Sequence, residues 1–206
     1  MILKNFDHSK TDIGVVILAA GLSKRMGRPK MLMAWKESTV IQSVVNSYLA
    51  AGLMEINVVI GGCRKELESL LKELPVQLIY NPKFENGEML DSLKIGINSL
   101  SKNIQAAMIA LGDQPRIESK DISKVIDGYL NTNSRLIVPS FKMRRGHPWI
   151  VEKSLWHGLL NLELPDTLRE FLKENSKEIH YIDIDNPSIL MDMDTLEDYE
   201  RLKNEE

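Results

Sequence analysis

Cysteine is almost missing from this sequence: of 206 residues, only Cys63 carries a thiol. An internal disulfide and a cysteine-ligated zinc site are therefore excluded, and a reducing cytoplasm is the expected compartment. An excess of one charge is missing too. Lysine and arginine total 26 against 29 aspartates and glutamates, a net charge of −3, so the basic face of a nucleic-acid-binding domain is not expected. Long apolar runs are lacking. No stretch nears the roughly 20 residues that cross a bilayer, and the opening MILKNFDHSKTD has no apolar core of a signal peptide. No nucleic acid and no membrane is expected among the partners. Two common nucleotide-binding signatures fail as well: neither G-x-x-x-x-G-K-[ST] nor G-x-G-x-x-G fits the glycine-containing segment 18–30.

What the sequence does have is alternation. Residues 14–20, GVVILAA, are short, β-branched and apolar throughout, as in a strand buried on both faces. A polar, basic loop follows over 21–30. A helix is expected over 40–51, capped by Ser38 or Thr39 and stopped at Gly52. Strands are then read at INVVIG from Ile56, VQLIY from Val76, AAMIAL ending at Leu111 and RLIVP from Arg135, with helices over 64–73, 88–100 and 119–130 between them. The pattern loosens afterwards into a helix over 166–174, a strand IHYIDI from Ile179 and a helix over 195–203, where Thr195 and Asp198 form a weaker kind of capping box. Such alternation predicts one α/β layered domain with a mainly parallel, Rossmann-like sheet. The chain is read as a single domain over 1–206, residues 1–12 being a flexible N-terminal extension. Trp149 and Trp156 are read as core side chains, and His8, His157 and His180 as ordinary surface or packing residues.

Ligands of such sheets sit beyond the carboxyl ends of the strands. That draws attention to LAAGLSKRMGRPK over 18–30, where Gly21 and Gly27 accompany Lys24, Arg25, Arg28 and Lys30. Glycines admit backbone N–H groups to an anion, and the cations neutralise it. A triphosphate suits this loop; a solvated basic turn suits it equally on composition. Asp113, in ALGDQP, follows a strand directly. An Asp opening a turn before Pro115 is common, but its place at a strand end favours a ligand role. Magnesium takes a few carboxylate oxygens together with substrate phosphates.

LAAGLSKRMGRPK resembles the signature of the MobA-like nucleotidyltransferase family, L-A-[AG]-G-x-S-x-R-M-G-x-x-K, at every fixed position. The resemblance implies that Leu18, Ala19, Ala20 and Gly21 meet the base and ribose through their backbone. It also puts Ser23 in the nucleotide site and has Arg25 and Lys30 hold the phosphates. GDQP resembles the family's metal motif, which makes Asp113 the leading Mg2+ ligand and, with Arg25 and Lys30, part of the catalytic set. MDMDTLEDY from Met191 resembles D-x-D-T-P-E-D-Y with Leu196 in place of proline. Asp194 matches the second metal position, and Asp192 is the weaker candidate.

Two further segments are similar to the molybdenum cofactor cytidylyltransferase branch. RRGHPWI from Arg144 resembles its R-G-H-P motif, implying acceptor contacts by Arg145, Gly146 and His147. His147 either hydrogen-bonds a substrate or orders the loop. NPKFENGEMLDSLKIGI from Asn81 resembles N-x-x-[WF]-x-x-G-x-x-x-S-L-x-x-G, with Gly87 and Ser92 set against its fixed positions in the nucleotide site. One departure is LPDTLREFL, where that branch has G-D-x-G-A-R: Asp166 and Arg169 remain, the glycines do not. The resemblance thus implies transfer of CMP from CTP to a phosphorylated acceptor, molybdopterin, with release of pyrophosphate and delivery to a recipient molybdoenzyme. Ala20 favours CTP, because guanylyl-transferring relatives carry glycine there. The alternatives are a sugar- or polyol-phosphate nucleotidyltransferase and a non-catalytic nucleotide-binding cofactor chaperone.

Overall fold

The computed structural model describes residues 12–163 and 167–204. The expected extension over 1–12 thus falls, Asp12 apart, outside the described residues, as do His8 and Asp166.

The described chain begins with β1 (Ile13–Ala19), a hairpin of two-residue strands β2 (Ala34–Trp35) and β3 (Ser38–Thr39), and α1 (Val40–Ala50). Then come β4 (Glu55–Ile60), α2 (Arg64–Leu71), β5 (Gln77–Tyr80), α3 (Met89–Asn98), β6 (Ala106–Leu111) and α4 (Ser119–Leu130). The later part holds β7 (Leu136–Phe141), β8 (Arg144–Arg145), β9 (Trp149–Glu152), α5 (Trp156–Leu160), α6 (Leu168–Glu174), β10 (Ile179–Asp183) and α7 (Leu196–Asn204). Eight strands make one sheet in the order β10-β7-β9-β6-β1-β4-β5, with β8 paired to β7. The pairings β1–β4, β1–β6, β4–β5 and β7–β10 are parallel; β9 runs antiparallel between β6 and β7. The mainly parallel α/β sheet read from the sequence is therefore present.

All seven residues of β1 are buried. Ile13, Val15, Ile17 and Ala19 pack against α1, α2 and α4, while Val16, Leu18 and Ala20 pack against α3, α5 and α6. A strand must be apolar at every position to serve two such cores. Thr39 caps α1 in a reciprocal box with Gln42, which satisfies otherwise orphaned N–H groups. The expected box at α7 also forms: Asp198 Oδ2 accepts from Thr195 N–H (3.0 Å), and Asp198 N–H donates to Thr195 Oγ1 (3.1 Å). A third small core of Met26, Met33, Trp35, Val40, Met193, Tyr199 and Leu202 packs α7 against the loop that follows β1. That packing carries the late segment 191–195 to the rim where β1 and β6 end.

Four details depart from expectation. The basic segment after β1 holds two single 3-10 turns, Lys24–Met26 and Lys30–Leu32. The strand at RLIVP begins at Leu136 and runs on to Phe141. The helix expected from 166 is described from Leu168. Finally, WIVE forms β9, a strand the alternating pattern does not announce.

Candidate active site

β1 ends where the sheet changes direction of growth, with β4 on one side and β6 on the other. In open α/β sheets this switch opens a crevice. The end of β4 must lie close against the turn leaving β1. A Cβ on Gly61 would stand 2.5 Å from the carbonyl oxygen of Ala20 and 2.6 Å from Phe84 Cβ, so only glycine allows the approach. Beyond Gly21 the backbone turns through Ser23 (φ 53°), whose Oγ accepts the Lys30 N–H over 3.1 Å. This bond closes the basic loop and directs the Lys30 side chain inward.

Lys30 Nζ donates to Asp113 Oδ2 and to the carbonyl of Met193 (3.1 Å), and lies 3.6 Å from Asp194 Oδ1. Arg25 reaches Asp194 Oδ2 over 2.9 Å from the solvent side. The Lys30 and Asp113 side chains are only 13% and 14% exposed, whereas that of Arg25 is 72% exposed. Lys30 is thus a near-buried charge held by carboxylates from two distant segments, and Arg25 an exposed surface partner. Four residues singled out from sequence, Arg25, Lys30, Asp113 and Asp194, form one cluster.

A cleft of about 310 Å3 opens beside this cluster. Leu18, Ala20 and Gly21 form one wall; Phe84, Gly87 and Ser92 lie on the other. The methyl group of Ala19 turns into the opposite core and does not line the cleft. An adjoining space of about 500 Å3 is lined by Ser23, Lys24, Arg25, Lys30 and Asp194. Ser92 is buried and accepts from Asn81 Nδ2 over 2.9 Å, so its hydroxyl is engaged in holding the turn at 81–87. In that turn the Gly87 N–H donates to the Lys83 carbonyl, and a Cβ on Gly87 would come within 2.6 Å of the same oxygen. Four residues separate Gly87 from Ser92, one more than the resembled pattern allows. The run between them holds Glu88, which precedes α3, and the first turn of that helix.

Asp192 lines the first cleft beside Asp113. Its carboxyl is pushed above the ordinary carboxylate range, chiefly by burial and then by the nearby Asp113 charge; a hydrogen bond from Gln114 works in the opposite direction. That bond, Gln114 Nε2 to Asp192 Oδ1, is 2.5 Å. Asp192 also borders a third space of about 530 Å3, into which Arg144, Arg145, Gly146, His147 and Arg169 face. Met89 lines both spaces as well. The two clefts therefore adjoin at Asp192 and Met89, beside the Lys30–Asp113 pair.

His147 donates its backbone N–H to the Ile189 carbonyl (3.1 Å), and its ring stacks on Trp149 with centroids 4.6 Å apart. Trp149 is buried, as expected, and donates to the Gly146 carbonyl over 2.6 Å. Burial lowers the His147 pKa to about 4. The ring is therefore neutral near pH 7 and a weak base, and its shielded Nε2 has no partner among the described residues. Of the two roles open from sequence, ordering the loop has the direct contacts.

Sequence reasoning did not single out Met31, Phe84, Met89, Arg144 or Gln114 as site residues, yet all line these clefts. Phe84, Met89, Gln114 and Arg144 stand inside the segments that carry the family resemblance and were within reach there; Met31 carries no local signal. Among the described residues, no group of three or more His, Cys, Asp or Glu side chains is placed to hold a metal by itself. Asp113 and Asp194 around one lysine instead fit a hard divalent cation that draws most of its ligands from phosphate and water.

The MobA-like NTP transferase domain matches residues 15–179. The chain belongs to that family. It is a family of nucleotidyl-transferring enzymes, and the relatives extend across this chain. Molybdenum cofactor cytidylyltransferase of Escherichia coli K12 is 27% identical over 189 residues, 91% of this chain and 93% of that protein. Nicotine blue oxidoreductase of Paenarthrobacter nicotinovorans is 25% identical over 194 residues, 91% and 94% of the two chains. A probable molybdenum cofactor guanylyltransferase of Bacillus cytotoxicus is 33% identical over 132 residues, 63% of each. In fold, the chain is similar to Rv0371C of Mycobacterium tuberculosis H37Rv in complex with manganese: TM-score 0.80, 20% identity, covering 95% of this chain and 100% of that one. No helix among the described residues is long and apolar enough to cross a membrane.

Proposed function

We propose that this protein transfers CMP from CTP to the terminal phosphate of molybdopterin, with Mg2+ as cofactor, and acts in the cytoplasm before a recipient molybdoenzyme takes the product. The observation that supports this reading best is the meeting of two clefts at Asp192 and Met89, beside Lys30 and Asp113. A donor and an acceptor held in adjoining spaces can react without leaving the protein, and positioning of that kind supplies a large share of the rate.

In this reading the backbone at Leu18, Ala19, Ala20 and Gly21 carries the base and ribose, with Gly87 and Ser92 shaping the facing wall. Ser23 fixes the loop so that Arg25 and Lys30 meet the β- and γ-phosphates. Arg145, Gly146 and His147 hold the acceptor. Asp113 and Asp194 would hold Mg2+, which supplies charge neutralisation at the triphosphate when bound. An acceptor phosphate oxygen attacks the α-phosphorus; a new P–O bond forms, the bond to the β-phosphate breaks, and pyrophosphate leaves. The acceptor phosphate is already ionised near neutrality, so no strong base is needed, in keeping with a His147 of low basicity.

The test is a pyrophosphate-release screen crossing CTP, GTP, ATP and UTP with molybdopterin and several sugar and polyol phosphates, with and without Mg2+. Release that requires CTP, molybdopterin and Mg2+ together upholds the reading. A sugar or polyol phosphate as best acceptor moves the protein to another transferase class, and binding without turnover makes it a carrier. The oxidoreductase relative calls for one more arm, oxidation of a reduced nicotinamide cofactor. Against a redox role stands the Lys30–Asp113–Asp194 cluster, which suits a metal-bound polyphosphate and has no evident use in hydride transfer.

A further inference from the structure

Asp121 is a buried carboxylate that the proposed reaction does not use. It sits in the first turn of α4 and is 1% exposed. Its Oδ2 accepts from Asn186 Nδ2 (3.0 Å) and Ser188 Oγ (3.4 Å), and its Oδ1 has no partner among the described residues. Asn186 Oδ1 in turn accepts the Ser188 N–H over 3.0 Å, capping the 3-10 turn Pro187–Leu190. A buried carboxylate that is only half satisfied is costly to keep. What it holds is therefore informative.

The turn is the common seat of three functional segments. The carbonyl oxygen of Ile189 accepts the His147 N–H over 3.1 Å and Gln114 Nε2 over 3.3 Å. Gln114 carries the contact on to Asp192. Gly146 lies so close that a Cβ there would stand 2.4 Å from the same Ile189 oxygen. The RRGHP loop, the GDQP loop and the segment before α7 thus rest on one short turn, and Asp121 fastens that turn to α4. The β1 loop and the start of α3 make no hydrogen bond to it among the described residues.

We propose that Asp121 is a positioning residue for the acceptor half of the site. It fixes Asn186 and Ser188, they hold the Ile189 carbonyl, and that carbonyl sets His147 and Gln114 along the acceptor cleft. The assignment of that cleft to the acceptor rests on the transferase reading above; the mechanical link does not. Two variants test it, Asp121→Ala and Asp121→Asn, each measured for CTP dissociation constant, acceptor KM, kcat and amide hydrogen exchange.

The alanine variant is expected to raise acceptor KM by about tenfold, since small displacements of a positioning group carry losses of that order or more. CTP affinity is expected to change far less than acceptor KM, because the Met193 N–H on the Asp113 carbonyl and Lys30 on the Met193 carbonyl hold Asp113 and Asp194 independently of the turn. The asparagine variant keeps an oxygen for Ser188 and Asn186 and is expected to recover most of the loss. Faster exchange confined to 144–149 and 188–191, with 14–30 and 192–195 unchanged, is the structural counterpart. A fall in CTP affinity that matches the acceptor loss overturns the proposal. So does an asparagine variant as impaired as alanine, or exchange that quickens evenly along the chain. If the wild-type protein uses no acceptor, the transferase reading fails on its own, and the exchange pattern alone decides the positioning role.

Discussion

The backbone N–H of Met193 donates to the carbonyl oxygen of Asp113 over 3.1 Å. Two segments far apart in sequence are joined there, the loop after β6 and the approach to α7. The same join puts the Met193 carbonyl on Lys30 Nζ, so Asp113 and Asp194 share one lysine. Several measurable consequences depend on that arrangement.

Asp113→Ala should remove nearly all pyrophosphate release while the protein stays folded. A metal-held phosphate commonly accounts for several kcal/mol of transition-state stabilisation. Circular dichroism should show an intact fold, because Lys30 keeps the Met193 carbonyl and Asp194 as partners. Retention of more than about a tenth of the wild-type rate, a loss under roughly 1.4 kcal/mol, would remove Asp113 from the metal site.

The proposed placing of Arg25 and Lys30 on the β- and γ-phosphates predicts that Arg25→Ala and Lys30→Ala both weaken CTP binding more than CMP binding. Their effects on stability should differ. Arg25 is a solvent-exposed partner of Asp194, and such pairs contribute about 0–1 kcal/mol, so Tm should hardly move. Lys30 is near-buried, and its loss leaves the near-buried Asp113 without its counter-charge while Asp194 keeps only the exposed Arg25; Tm should fall clearly. Titration with the two nucleotides and thermal melts separate these outcomes.

Burial of His147 should make stability fall as pH is lowered. Its folded-state pKa lies at about 4, below the ordinary 6.5, so from 6.5 downwards the unfolded chain takes up a proton that the folded chain refuses. The contribution is fully present above pH 6.5 and is lost progressively down to about 4. From pH 6.5 down to about 4 the Tm of the wild type should fall more steeply than that of His147→Phe, which lacks the group. In kinetics, Arg145→Ala and His147→Ala should impair use of the acceptor and leave CTP affinity near wild type; a collapse of CTP binding would reverse that assignment.

Ala20 should favour CTP over GTP. It is buried and lines the cleft beside Lys30 and Asp113; in the proposed reading the added methyl group and its tighter backbone leave less room for a purine than glycine would. A contact of this size separates ligands by ~1–3 kcal/mol, roughly 10–200-fold. Competition at equal concentrations, with Ala20→Gly alongside, measures it. Equal or better use of GTP by the wild type would end the cytidine assignment and leave the transferase reading standing.

The sequence made β1 and β6 legible because each serves two cores and must be apolar at every position. It hid β9, which is four residues long and takes its order from β7 just before it and from β6, a strand distant in the chain. Local periodicity carries no trace of such pairing. The cluster of Arg25, Lys30, Asp113 and Asp194 was readable from motifs. The junction at Asp192 and Met89 was not, because a boundary between two spaces exists only after three loops are packed together. The reading of Ser92 as a nucleotide contact missed its engagement by Asn81, a bond across a turn that the motif spacing did not convey.

In the proposed reading, β9 also separates the inheritance of the two substrates. Because it runs against its neighbours, its first residue, Trp149, lies at the end of β6 near Asp113, and the RRGHP loop is delivered by a strand entering the sheet instead of leaving it. The loop after β1 belongs to a different strand of opposite direction. The two loops therefore share no strand, and each can differ in length and side chains by changes within its own segment. A scaffold wired this way can keep its nucleotide chemistry while its second specificity is rewritten, and exchange of residues 142–148 between relatives is the place to look for altered acceptors.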